Sequence, residues 1–377
     1  MSLAAHHEQL RDAVRRYARE RLAPNAPRWD REKHFPREEV AGLAAMGLCG
    51  VTIAEEHGGA GMDNTALALA CEEIAAGDGA TCTIVMVTNL VANILQGYGS
   101  AAQKSEFLGP VAQGKLLGAF CLTEPHAGSD AAAITTRAES AGAYFVLNGV
   151  KQFITSGRNA DLAIVFAVTD RSAGKKGISA FVVPTSTPGY SAVRIEDKTG
   201  QRASDTAQVV LENCKVPAAH LLSTPGAGYR IALANLESGR INVAAQATGM
   251  ARAALEAALA YAGERKSMGK TLIEHQAVNF RLADMATGVE ASRQLYLHAA
   301  RLRDTGAPCL KEASMAKLFA SETAEKICSD AIQIHGGYGY LSDFPVERIW
   351  RDVRVCQIYE GASDIQRLVI GRALETR

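Results

Sequence analysis

A length of 377 residues, with 47% hydrophobic and 21% charged side chains, suits a soluble globular protein of two or three domains with a large core. The 40 basic residues balance the 40 acidic ones to a formal net charge of +0, which argues against a nucleic-acid surface, where a basic excess is expected. The 8 cysteines (Cys49, Cys71, Cys82, Cys121, Cys214, Cys309, Cys328 and Cys356) show no CxxC spacing and no accompanying His cluster, so neither a disulfide framework nor a metal site is expected and a reducing cytoplasm fits.

The first third reads as helical. Leu10, Val14, Tyr17, Ala18, Arg21 and Leu22 recur at helical spacing, and Pro24 and Pro27 are expected to stop that helix. Asp63-Asn64-Thr65 predicts an N-cap for a helix over 66–76. An apolar helix is expected over 81–95, ending at Gly97-Tyr98-Gly99, and a short one over 100–107. No apolar run reaches transmembrane length, and the N-terminus has neither a signal-peptide core nor a transit pattern.

The texture changes near Leu117. Strands are predicted at 117–122, 144–147, 152–155, 162–168, 178–183, 192–195 and 207–211, with turns at Asn148-Gly149, Gly174-Lys175-Lys176-Gly177 and Pro188-Gly189. This is an all-β insert, a sandwich or barrel. After Pro225-Gly226 the helical period returns over 229–264, 273–304, 309–334 and 365–374, which suggests a bundle. The order α, β, α divides the chain into an N-terminal all-helical domain (1–116), a middle β-barrel or sandwich domain (117–222) and a C-terminal four-helix domain (223–377).

Three segments carry chemistry. In Phe120-Cys121-Leu122-Thr123-Glu124-Pro125-His126-Ala127-Gly128-Ser129-Asp130 a strand runs into a turn of small and hydroxylated residues, suited to hydrogen bonding a planar heterocycle or a pyrophosphate. In Gln333-Ile334-His335-Gly336-Gly337-Tyr338-Gly339 a simple C-cap explains one glycine but not three, so close backbone approach to a ligand is expected. The glycines lack dinucleotide-fold spacing. Tyr359-Glu360-Gly361-Ala362-Ser363-Asp364 sets one carboxylate on a glycine-loosened turn before a helix, against an apolar wall, as a general base would be.

Together with Glu55-Glu56-His57-Gly58-Gly59-Ala60-Gly61, Gly149–Gly157, Arg202–Thr206, Glu264–Lys270 and His275-Gln276, these segments resemble the acyl-CoA dehydrogenase family over essentially the whole chain. The resemblance implies the family fold of helical, β and four-helix domains. It implies FAD bound by Phe120, Leu122, Thr123, Gly128 and Ser129, by Phe153, Ile154 and Thr155, by Arg265, Ser267 and Met268 from a neighbouring subunit, and by Gln276, Gln333, Ile334, Gly336, Gly337, Ala362 and Asp364. Phe153 stands where many members carry Trp, Met268 where Phe is usual, Ala362 where Thr is common, and Asp364 where a longer acid or amide is found.

By the same resemblance Glu360 matches the base that takes the α-proton of an acyl-CoA while hydride passes to flavin N5, giving a trans-2-enoyl-CoA. Ser129, Glu237, Arg240, Tyr359, Gly361 and Arg372 match substrate contacts. Gly239 occupies the base position used by some relatives, so that alternative fails. An electron-transfer flavoprotein is the implied acceptor, and a homotetramer the implied assembly. Fatty-acid β-oxidation or branched-chain amino-acid catabolism in the cytoplasm is the implied setting. Oxidases on this fold are usually much longer, and desulfinases do not need the α-proton base. A non-catalytic flavin-fold binding protein fits neither the neutral charge nor the intact base. The absence of Arg between Thr81 and Gly99 disfavours a dicarboxylyl substrate, and Val, Met and Leu there suggest a shallow apolar pocket for short or branched chains.

Overall fold

A computed structural model describes residues 3–375. The N-terminal helices are Ala5–Tyr17 (α1, continued by a π-helical turn, Ala18–Leu22), Ala26–Glu32 (α2), Arg37–Ala45 (α3), Asn64–Gly77 (α4), Gly79–Tyr98 (α5), Ala101–Gln103 (α6) and Gly109–Ala112 (α7). Pro24 ends the first run, but Pro27 sits in the first turn of α2 rather than stopping a helix, the place where proline's missing N–H costs nothing. Asp63 caps α4 as expected, accepting the Ala66 N–H at 2.8 Å. Asp78 caps α5, accepting from the Thr81 N–H at 2.8 Å and its hydroxyl at 2.7 Å. Contrary to the sequence expectation, α5 is long and apolar enough to cross a membrane, but 72% of its apolar window is buried inside the protein.

The middle of the chain forms one seven-stranded sheet of Gly118–Cys121 (β1), Arg137–Ala141 (β2), Tyr144–Thr155 (β3), Leu162–Val168 (β4), Ile178–Pro184 (β5), Tyr190–Ile195 (β6) and Thr206–Pro217 (β7). The strand order is β1-β4-β2-β3-β7-β6, with β5 antiparallel to β4. Asn148-Gly149 does not turn the chain. It forms a bulge inside the continuous β3, where the Asn148 side chain accepts the Asn213 N–H at 2.8 Å. A Cβ on Gly149 would lie 2.7 Å from the Thr136 backbone, so only glycine fits this bulge. Strand β2 was missed because Arg137-Ala-Glu-Ser-Ala is almost wholly exposed and carries no apolar alternation.

The C-terminal region holds Gly228–Glu264 (α8), a small hairpin of Lys266–Ser267 (β8) and Lys270–Thr271 (β9), Gln276–Asp304 (α9), Leu310–His335 (α10), Pro345–Val353 (α11) and Ser363–Glu375 (α12). Helix α11 was missed because its apolar face is only Val346, Ile349 and Val353 among charged residues. Helix α8 lies between α4, α9 and α10, and one apolar core runs from Val14, Leu22 and Ile74 through Met250 to Tyr296 and Ile327. Buried Glu72 and Glu73 of α4 are paired across this core with Arg252 of α8, Arg293 of α9 and Arg15 of α1. The two helical regions therefore share a core, though the β-insert separates them in sequence.

Candidate active site

On the β-domain, Phe120, Leu122 and Thr123 lie at the end of β1, next to the last residues of β3. The Gln152 N–H donates to the Thr123 carbonyl at 2.9 Å. Lys151, fully buried, donates to the Leu122 carbonyl at 3.1 Å and to Glu124 Oε1 at 2.8 Å. Glu124 also accepts from the Thr135 and Thr136 N–H groups, and these partners with Lys151 hold its carboxyl down at about 2 against the effect of burial. Between Lys151 and Ile154 the β3–β7 register slips, and Phe153 takes a left-handed φ of 58°. The bulge turns its ring outward to 63% exposure, while Ile154 beside it is buried. Gly128 and Ser129 are exposed on the turn after β1, and Thr155 is half-buried.

Glu360 stands in the tight turn before α12, with φ of 54° at Glu360 and 88° at Gly361. A left-handed non-glycine residue costs on the order of 1–3 kcal/mol and persists only where neighbours hold it. Here Gln366 donates to the Glu360 carbonyl at 3.1 Å and to the Gly361 carbonyl at 2.7 Å, and Lys317 donates to the Gly361 carbonyl at 2.7 Å. The carboxyl packs on α8: a Cβ placed on Gly239 would lie 2.4 Å from Glu360 Oε2. That oxygen is buried with no hydrogen-bond partner. Burial pushes the carboxyl up to about 7, against the opposing pull of the Arg240 and Lys317 cations.

Of the other expected substrate contacts, Arg240 is buried and donates to Ser314 Oγ at 3.3 Å, with its Nε unpartnered. Glu237, on the same helix, is held by Arg303 at 3.0 Å and accepts from the Cys309 thiol. The Tyr359 hydroxyl donates to Gln246 Oε1, and Gln246 donates to Thr83 at 2.7 Å and to the Gly79 carbonyl at 2.9 Å. Thr83 in turn donates to Gln201 at 2.6 Å. Arg372 lies exposed on α12, and Ala362 and Asp364 flank the start of that helix.

Arg265, Ser267, Ile334, Gly336 and Gly337 are brought together elsewhere, around a cavity of about 490 Å³ that Tyr261, His335 and Tyr338 also line. Tyr261 stacks on His335 at 4.4 Å, and Arg265 lies 5.6 Å over the Tyr338 ring. None of the β-domain residues lines this cavity, so one chain does not gather the expected cofactor contacts into a single site. Met268, in the β8–β9 turn, is 93% exposed, and Gln276 and Gln333 are exposed near the same hairpin and at the end of α10.

The sequence carries no expectation for Lys317, Ser314, Gln246, Gln201, Thr83 or Lys151, and it places Glu124 in the first chemistry-bearing segment without a role. One signal was available: Lys317 falls on the buried stripe of α10 with Ala313, Ala316, Ala320 and Ala324, where a lysine needs a partner. Among the described residues one group could hold a metal ion, His6, His7 and Asp63. His7 Nε2 already donates to Asp63 Oδ1 at 2.9 Å, and Asp63 serves as the α4 cap.

The hydroxyls of Thr123, Ser129 and Thr155 with the exposed Phe153 ring on the β-domain, and the Ser267 hydroxyl with the Arg265 cation at the separate cavity, are hydrogen-bonding, stacking and charged groups of the kind FAD needs. At Gly128, Gly336 and Gly337 an added Cβ would meet nothing within 4 Å, so the backbone there is open to close approach. Fold and site together define a flavin-dependent dehydrogenase. Family models for the N-terminal, middle and C-terminal domains of acyl-CoA dehydrogenases match residues 4–115, 119–214 and 226–375. An acyl-CoA dehydrogenase of Bacillus subtilis is 44% identical over 99% of both chains. The short-chain specific mitochondrial acyl-CoA dehydrogenase of Rattus norvegicus is 44% identical over 98% of this chain and 90% of its own length. A chain in a solved structure described as the electron transferring flavoprotein of Acidaminococcus fermentans superposes with a TM-score of 0.98 at 42% identity, covering 99% of both chains. The chain belongs to the acyl-CoA dehydrogenase family. It is an FAD-dependent oxidoreductase acting on acyl-CoA.

Proposed function

We propose that this protein dehydrogenates short acyl-CoA thioesters to trans-2-enoyl-CoA, with Glu360 removing the α-proton. The observation that carries this reading is the buried, unpartnered Oε2 of Glu360, pressed against Gly239 and pushed up to about 7. A base of that proton affinity is matched to neutral pH, and acyl-chain binding would dry the site further. The α-proton goes to the carboxylate, the β-hydrogen leaves as hydride, and the carbon–carbon double bond forms between the two positions. FAD, when bound, supplies the hydride acceptor. Phe120, Leu122, Thr123, Gly128, Ser129, Phe153, Ile154 and Thr155 would hold it from one chain. Arg265, Ser267, Met268, Gln276, Gln333, Ile334, Gly336 and Gly337 would hold it from a second chain, with Ala362 and Asp364 near the base. This division fits the two separate groups of residues and implies a homo-oligomer, which the family resemblance makes a tetramer.

The preference for short chains is supported by what fills the space behind Tyr359. Gln246 is fully buried, Cys82 and Met86 touch at 3.6 Å, and Met250 packs so closely on Gly79 that a Cβ there would lie 2.6 Å from its sulfur. Electron-transfer flavoprotein as acceptor is supported by the likeness to the Acidaminococcus structure. Anaerobic bleaching of the flavin band with acyl-CoAs from C4 to C12 tests the reading. Bleaching only by long chains, or none by any acyl-CoA, would reject it.

A further inference from the structure

The inward face of α10 is polar where it meets the active-site turn. Ser314, Lys317 and Ser321 are each fully buried, at spacings of three and four residues, so they share one stripe. Two of them reach the site: Ser314 Oγ accepts from Arg240 and Lys317 Nζ donates to the Gly361 carbonyl at 2.7 Å, while the Ser321 hydroxyl donates back to the Leu318 carbonyl of its own helix at 3.3 Å. A lysine with no solvent exposure is costly unless its charge is answered, yet no carboxylate forms an ion pair with Lys317 among the described residues. Its hydrogen bond goes to a backbone carbonyl, within the turn that carries Glu360.

We propose that Lys317 is a positioning residue for the dehydrogenation, locking the left-handed Glu360–Gly361 turn through the Gly361 carbonyl so that the base is aimed at the substrate. This rests on the reading of Glu360 as the base. The Gly361 carbonyl takes two donors, Lys317 and Gln366, and both come from helices that frame the turn. The ammonium has a second effect. Glu360 is faced by Arg240 from α8 and Lys317 from α10, both of which favour its ionised form. Lys317 itself is faced by Cys356, Glu360, Arg240 and Glu322. Burial holds the lysine down at about 8, so its charge is present at neutral pH and fades in mild alkali.

Three substitutions in the flavin-loaded enzyme separate these effects. K317M removes donor and charge, K317Q keeps a donor without charge, and K317R keeps both. The readouts are bound flavin per chain, and the rate of flavin bleaching by butyryl-CoA across pH 5.5–9. With flavin content retained, K317M is expected to lose on the order of 10- to 100-fold in bleaching rate with little change in substrate affinity, as misaimed catalytic groups do. In K317Q the pH midpoint for bleaching should move up by about one unit, because one of the two cations favouring the carboxylate is gone. K317R should restore the wild-type midpoint. A wild-type rate in K317M, or a wild-type midpoint in K317Q, overturns the proposal. If K317M does not hold flavin, the K317Q midpoint decides alone. Glu360→Gln is the control: wild-type bleaching there refutes the base assignment itself, whereas its loss alongside unaffected Lys317 variants refutes only the role of Lys317.

Discussion

Replacing Glu360 by glutamine should stabilise the protein in a pH-dependent way. The carboxyl sits at about 7 in the folded chain, against an ordinary value of 4.5. Because the folded value is the higher one, its contribution to stability is fully present below pH 4.5 and is lost as pH rises through 7. Each pKa unit corresponds to about 1.4 kcal/mol, so the loss is complete near pH 8.5 and amounts to about 3 kcal/mol. Glutamine has nearly the same shape and cannot ionise. The stability of Glu360→Gln minus that of wild type should therefore grow by about 3 kcal/mol between pH 4.5 and pH 8.5. Comparing the two proteins at each pH cancels the titrating groups that do not face Glu360. Urea midpoints of the flavin-loaded enzymes, measured at both pH values, provide the assay. A difference that does not change with pH would mean that the carboxyl is solvated, and the burial argument would fail.

Other perturbations test other parts of the site. Gly239→Ala should leave the melting temperature nearly unchanged but slow flavin bleaching at least tenfold, because the new methyl meets the mobile end of Glu360 rather than backbone; normal bleaching would show that the carboxyl does not rest on α8. Lys151→Met strands the buried Glu124 carboxylate and should cost about 3–5 kcal/mol, with flavin lost on gel filtration; retention of flavin and of the wild-type urea midpoint would contradict this. Gln246→Gly should open space behind Tyr359 and shift the chain-length optimum of bleaching from C4 towards C8, while an unchanged optimum would place the pocket floor elsewhere.

The base turn was legible because its chemistry is local. Glu360 precedes Gly361 and a helix start, and the structure holds both residues at positive φ. Helices α4, α5, α8, α9 and α10 were legible from apolar period and caps. Asn148-Gly149 was misread because a hairpin turn and a β-bulge make the same demands on residue type, and only the pairing partner, here β7, distinguishes them. Strand β2 has too little burial to leave a pattern, and α11 too few apolar positions. Lys317 was marked only by its place on the alanine stripe of α10, and Gln246 escaped because a buried polar residue on a helix looks in sequence like a solvated one. Their partners, Gly361 and Tyr359, lie 44 and 113 residues away.

The most direct test of the account is anaerobic mixing of the flavin-loaded enzyme with butyryl-CoA, comparing wild type with Glu360→Gln by absorbance near the oxidised-flavin band. Fast bleaching in wild type, falling by on the order of a thousandfold or more in the variant, is expected if Glu360 takes the α-proton. Equal bleaching in the two proteins would contradict it.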